Sequence, residues 1–147
     1  MVRDEHAEQQ HPYQQAVRRL TGAFTAQDRV TIEDVLDPAC TWRVPGRNGL
    51  AGEYVGRPAV MGLFTTLRRL FAVPAQFEIL DIAVSEDRAI AYQVAVAVVG
   101  DRTVRMKECM VYRFRDGKVV EVDEFQFDQA TFDEVFSASV VAARTSA

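Results

Sequence analysis

From residue 76 onward the chain adopts a hydrophobic period of two and keeps it through four runs, residues 76–84, 89–99, 103–114 and 119–127. Each run is rich in β-branched and aromatic residues. The breaks between them, Ser85-Glu86-Asp87-Arg88, Gly100-Asp101-Arg102 and Arg115-Asp116-Gly117-Lys118, are short turn signals. Strands joined by so few residues pair as successive hairpins, because a parallel pair needs a long crossover. The chain is thus committed to an antiparallel meander, and the rest of it must cover that sheet.

The first half supplies helices. Tyr13, Val17, Leu20 and Phe24 recur at 4-3-4 spacing as one apolar stripe, with Pro12 in the first turn. Asp28 can cap a short second helix carrying Ile32, Val35 and Leu36, which must end near Asp37 because Pro38 disfavours helix before it. Residues 40–45 read as a strand. Residues 46–56 hold four glycines in eleven positions, a long loop. Pro58 opens a helix with the stripe Val60, Phe64, Leu67 and Phe71, closed by Pro74. After the meander comes a last helix, capped by Asp128 or Thr131, with Thr131 and Glu134 spaced as a capping box and Phe132, Val135 and Phe136 on its buried face. The expected fold class is α+β: a curved, mainly antiparallel sheet wrapped around helices, a cone with one pocket. It forms a single domain over 12–144, preceded by a polar leader over 1–11.

Composition narrows the function. A chain of 147 residues that is 48% hydrophobic buries a sizeable core as one domain. Its formal charge of −4, with no run of five like charges, gives no footprint for a nucleic-acid backbone. The longest aliphatic run, residues 94–99, is far short of the ~20 residues that span a bilayer, so no membrane partner is expected. The opening residues lack the apolar segment of a signal peptide, which makes the cytoplasm the expected compartment. His6 and His11 are the only histidines, both in the leader, and Cys40 and Cys109 lack metal-site spacing. The two cysteines are expected to be reduced core thiols. No metal and no cofactor is expected, and any chemistry falls to carboxylates, tyrosines, arginines, lysines or thiols.

The hairpin at Arg115-Asp116-Gly117-Lys118 decides which of these share a face. A two-residue turn pairs Arg115 with Lys118 and sets Tyr112 against Glu121 and Met110 against Asp123, apolar against charged. A three-residue loop with Gly117 in the left-handed position pairs Phe114 with Lys118 instead. One face then carries Tyr112 opposite Val120, Met110 opposite Val122, Glu108 opposite Glu124 and Met106 opposite Gln126. That register is the one expected here. Opposed carboxylates in an apolar setting repel and lose solvation, both of which raise their pKa, so Glu108 and Glu124 form a candidate acid/base pair. The structural alternative has the cone open there, with one glutamate reaching water or pairing with Arg43 or Arg57.

Trp42 shares parity with Cys40 and Val44 and is either a ligand wall or packed core; Tyr112 either meets a ligand oxygen or satisfies its hydroxyl internally. Tyr13 is placed at the pocket mouth or in the core. The glycine-rich segment with Tyr54 is a rim, a lid or a structural loop. The candidate ligand-binding set is Trp42, Tyr112, Met110, Val44, Val122, Gln126, Tyr13, Tyr54 and Phe64. The strand over 89–99 is poor in polar positions on either parity, which suggests both faces are covered, one by a second copy of the chain. A homodimer through the outer sheet face is expected.

Residues 13–136 resemble the nuclear transport factor 2-like superfamily, in its SnoaL-like polyketide cyclase and ketosteroid isomerase branch. The resemblance is carried by Phe24-Thr25-Ala26-Gln27-Asp28, Trp42-Arg43-Val44-Pro45-Gly46, Gly52-Glu53-Tyr54-Val55-Gly56-Arg57, Tyr112-Arg113-Phe114-Arg115-Asp116-Gly117-Lys118 and the stretch 124–128. It implies a conical α+β barrel around one hydrophobic pocket, usually dimeric. Carried over by position, the isomerase tyrosine falls at Leu20, its base at Val44 and its second acid at Met110, so steroid isomerisation by that apparatus is not expected. The final-strand acid of the epoxide hydrolase relatives falls at Glu124, but their Arg-x-Asp is missing from 89–99. The resemblance implies a cofactor-independent isomerase, cyclase or dehydratase acting on a small hydrophobic carbonyl compound; the alternatives are a noncatalytic ligand-binding or dimerisation module and, more weakly, an epoxide hydrolase.

Overall fold

A computed structural model describes residues 10–146. His6 and most of the expected leader lie outside the described residues. Helix α1 (Pro12–Ala26) begins where expected and buries Val17, Leu20 and Ala23. His11 is its N-cap: its Nδ1 accepts from the Tyr13 N–H while its own N–H donates to Gln14 Oε1. Tyr13 lies flat on Phe114, with ring centroids 4.0 Å apart, so it pins α1 to the sheet.

Helix α2 (Arg29–Val35) is capped by Asp28, and strand β1 (Leu36–Val44) follows without a gap. The strand thus begins four residues before the expected 40–45. Pro38 is tolerated because it falls in the break in the ladder between Leu36 and Thr41, where no partner needs its missing N–H. The glycine-rich segment is not wholly a loop, for β2 (Gly52–Val55) pairs antiparallel with β1. The remainder is tied down: Asp133 Oδ1 accepts from Asn48 Nδ2, the Arg47 N–H and Gln129 Nε2. Gly46 is obligatory there. Its φ is +92°, and a Cβ would come 2.2 Å from Gln129 Nε2. The segment is an anchored edge and not a free lid.

Helix α3 (Arg57–Leu70) buries Val60, Met61, Leu63, Phe64 and Leu70. Then come β3 (Gln76–Val84), β4 (Arg88–Val99), β5 (Arg102–Arg115) and β6 (Lys118–Gln126). The single closing helix expected from sequence is two: α4 (Gln129–Val135), capped by Asp128 and not Thr131, and α5 (Ala138–Thr145), capped by Ser137. The six strands form one curved sheet in the order β2-β1-β6-β5-β4-β3, antiparallel except for β1 beside β6. Helices α1 and α3 pack on its inner face, and the core lies between. Stripe residues such as Val17, Leu20 and Val60 are at most 2% exposed, and each stabilises the fold by about 1.5–3 kcal/mol.

The β5–β6 hairpin corrects the expected register. Asp116 and Gly117 both have positive φ, 52° and 76°, and Arg115 pairs with Lys118 in a tight two-residue turn. The mismatch this would cause is removed one step inward, where the ladder runs from Phe114–Val119 to Arg113–Glu121 and leaves Val120 as a bulge. Beyond it Tyr112 opposes Val122, Met110 opposes Glu124 and Glu108 opposes Gln126. The two glutamates share the inner face, but as diagonal neighbours and not as an opposed pair. Cys40 is buried, and burial pushes its thiol up to about 11. Cys109 corrects the core-thiol expectation: it sits half-buried on the outer face, between Tyr92 and Phe125.

Candidate active site

Between the inner face of the sheet and helices α1 and α3 lies a cavity of about 780 Å³, counted out to its mouth. Its wall is overwhelmingly apolar: Leu20 and Phe24 from α1, Phe64 and Leu67 from α3, and Phe132 and Phe136 around α4. Aromatic edges interlock around it. The Trp42 and Phe64 rings meet at 5.1 Å and 88°, and Phe24 meets Phe64 at 5.2 Å and 80°, edge-to-face contacts worth about 0.5–1.5 kcal/mol beyond burial.

One patch of this wall is polar, and strand pairing builds it. Gln93 on β4 is opposite Glu108 on β5, which is opposite Gln126 on β6. Three polar side chains therefore cross three adjacent strands in a row. Glu124 stands one inward position along β6, and Trp42 Nε1 donates to its Oε1 at 2.7 Å. Gln126 Nε2 donates weakly to Glu108 Oε2 at 3.4 Å. Among the described residues, no lysine or arginine lines the cavity. Arg43 faces outward to Glu53, Glu121 and Asp123, and Arg57 donates to the backbone carbonyls of Glu33 and Leu36. Neither reaches the glutamates.

The electrostatics follow from that isolation. Burial pushes the Glu108 carboxyl far above the usual carboxylate range and the nearby Glu124 adds to the rise, against hydrogen bonds from Gln126 and Gln93. Glu124 is also raised by burial, but the Trp42 N–H stabilises its anion. The two titrate as a pair in the neutral region. Burial, with the charges of Glu108 and Glu124, raises the Tyr112 hydroxyl as well, partly offset by Thr21. The favoured form of the site therefore holds the proton on Glu108 and the negative charge on Glu124.

Of the candidates, Glu108, Glu124, Trp42, Val44, Phe64, Met110, Tyr112 and Gln126 line this cavity. Three do not. Tyr13 is consumed in its stack on Phe114, Tyr54 donates its hydroxyl to Leu50 O at 2.7 Å on the sheet edge, and Val122 is wholly covered beneath its neighbours. Gln93 and Thr21 line the cavity and were not among the candidates. A lone glutamine in an otherwise aliphatic strand was the available signal for Gln93; Thr21 gave none, since a helical threonine that donates to Val17 O looks the same anywhere. Among the described residues, no three His, Cys, Asp or Glu side chains gather as a metal site, and no helix is long and apolar enough to cross a membrane.

A family profile for the SnoaL-like domain matches residues 17–122. Among solved structures, Bal32a from a soil-derived mobile gene cassette is 27% identical, with a TM-score of 0.81 over 85% of this chain and 96% of that one. TerC, co-crystallised with polyporic acid, is 18% identical, with a TM-score of 0.76 over 86% and 98% of the two chains. A SnoaL-like polyketide cyclase candidate from Jannaschia Sp. CCS1 is 16% identical, with a TM-score of 0.72 over 86% and 92%. The last two establish the likeness of fold alone. No curated protein matches the chain in sequence.

Proposed function

The chain belongs to the SnoaL-like domain family, and from that premise we propose that it is a cofactor-independent acid/base enzyme that isomerises, cyclises or dehydrates a small hydrophobic, polyketide-like carbonyl compound. The observation that carries this reading is a pair of carboxyls, Glu108 and Glu124, in an apolar cavity whose described lining holds no lysine or arginine. Protonated Glu108 donates to the carbonyl oxygen as anionic Glu124 removes a proton from the neighbouring carbon. The resulting enol then accepts the proton from Glu124 at another carbon while its hydroxyl returns a proton to Glu108, or its carbon attacks a second carbonyl to close a ring. The diagonal placement suits this, since diagonal neighbours on a sheet stand about 7–8 Å apart, farther than directly opposed residues, and leave room for two different ligand atoms between the carboxyls.

The test is exchange of α-hydrogens with deuterated water in a panel of enolisable aryl ketones. Wild-type protein accelerates exchange, and Glu124→Gln loses the acceleration; equal rates in the two would overturn the reading. A second reading, a noncatalytic binding module, is favoured by the apolar side chains Leu20, Val44 and Met110 at the positions where isomerase relatives are expected to hold theirs. Tight ligands recovered chemically unchanged would establish it.

The homodimer belongs to the same proposal, in a chain that works in the cytoplasm. Ile90, Tyr92, Phe125 and Phe127 are exposed on or beside the outer face of the sheet, Phe127 at 82%, with Lys107 lying over the Tyr92 and Phe127 rings. Such a contiguous patch, rimmed by charge, fits a second copy of the same chain. Sedimentation should give a dimer that Phe125→Glu splits; a monomeric wild type would overturn it.

A further inference from the structure

Gln93 is 2% exposed, lines the cavity, and its Oε1 has no hydrogen-bond partner. A buried acceptor left unpaired carries a full desolvation cost, and native structures retain such a group only for a reason. The neighbouring polar groups do not supply that partner. Trp42 Nε1 is committed to Glu124 and the Thr21 hydroxyl to Val17 O. Gln126 Nε2 donates to Glu108 Oε2, and Ile79, opposite Gln93 on β3, is aliphatic and offers no side-chain donor. The polar patch is thus short of donors for Gln93 Oε1: among the described residues the mobile ones left are the Tyr112 hydroxyl, which lies against Thr21, and the single proton of the carboxyl pair.

We propose that Gln93 is the residue by which this cavity selects its ligand, and that the ligand class is a carbonyl compound that also carries a hydroxyl, as a phenol, enol or alcohol, whose hydrogen is donated to Gln93 Oε1. The inference rests on the acid/base reading only in taking the cavity as the ligand site. It adds what that reading lacks, a reason for one carbonyl compound to be preferred over another. Because Gln93 and Glu108 are directly paired across β4 and β5, a ligand hydroxyl on Gln93 places the adjoining part of the molecule beside the Glu108 carboxyl. A site built to pair with a hydroxyl also rejects the analogue that lacks it, since the acceptor is then left orphaned.

The experiment compares para-propylphenol with para-propyltoluene, which differ by a hydroxyl in place of a methyl, on wild-type protein and on Gln93→Met. Binding is followed by calorimetry and by the fluorescence of Trp42, the one tryptophan of the chain. The expected result is a phenol-to-hydrocarbon affinity ratio that falls about tenfold in the variant, the scale of one hydrogen bond to a buried acceptor. In wild-type protein the side-chain amide resonance of Gln93 should move with the phenol and stay with the hydrocarbon, a readout that survives even if the variant folds poorly. An unchanged ratio, an unmoved resonance, or a wild-type cavity that takes up neither compound overturns the proposal, and the first two would mean that the Glu108 proton already satisfies Gln93 from within. Selective binding without turnover of any ketone would leave Gln93 as assigned and remove the acid/base reading. Turnover with an unaltered ratio would do the reverse.

Discussion

Strand β6 carries carboxylates on both of its faces, and the two faces treat them in opposite ways. Outside, Glu121 and Asp123 lie about one-third exposed and share Arg43, with Arg113 also on Glu121. Inside, Glu108 and Glu124 sit one residue out of phase with them, among rings and methyl groups, with no cation at all. An acid that has both water and a guanidinium is stabilised by about 0–1 kcal/mol and changes little on folding. An acid that has neither makes the folded state work against its ionisation. Alternation along a strand is enough to separate a solvated acid from a desolvated one.

The largest test of that contrast is on rate. Glu124→Gln and Glu108→Gln should each lower turnover by about 10²–10⁴-fold, the range of a lost general base or acid, while Asp123→Asn changes it less than about twofold. Activity in wild-type protein should rise with pH as Glu124 ionises and fall as Glu108 loses its proton, giving a bell in the neutral region.

Stability comes next. Both inner carboxyls have folded-state pKa values raised above the ordinary 4.5. The folded state therefore binds more protons than the unfolded chain, and stability falls as pH rises from about that ordinary value through the neutral region. Glu108→Gln should flatten this fall and stabilise the protein at alkaline pH by on the order of 1–3 kcal/mol, read from denaturant midpoints at several pH values. Trp42→Phe removes the hydrogen bond that favours the Glu124 anion, so the rising limb of the rate profile should shift to higher pH, with a stability loss of about 1–2 kcal/mol. Smallest of all, Arg43→Met should cost under about 1 kcal/mol and leave the profile in place.

How far the sequence led depends on which physical signal each feature had. The meander, the helical stripes and the face shared by Glu108, Met110 and Tyr112 were legible because hydrophobic alternation fixes parity directly. The pairing partners of those residues were not, because parity survives if the extra residue sits in the turn or one step beyond it, and the Asp116-Gly117 dipeptide settled for the tighter turn with Val120 as the surplus. Strand β2 and the early start of β1 were hidden by glycine and proline, which report backbone freedom and say little about the partner strand that overrides it. Tyr13 and Tyr54 have the chemistry of ligand groups, but their hydroxyls and rings are spent within the fold. Gln93 was obscured for the opposite reason: one polar residue in an aliphatic run reads as noise until its neighbours across the sheet are known.

Val120 also gives β6 one residue of slack. Between Phe114–Val119 and Arg113–Glu121 the strand holds a single residue more than its partner requires, so losing any one of Val119, Val120 or Glu121 can be absorbed by straightening the ladder, and Glu124 would keep its inward address. A residue gained at the same place has no such reserve and would turn the rest of the strand over, trading Glu124 for its outward neighbours. At this corner the fold tolerates shortening and resists lengthening, an asymmetry that natural length variants of this hairpin should display.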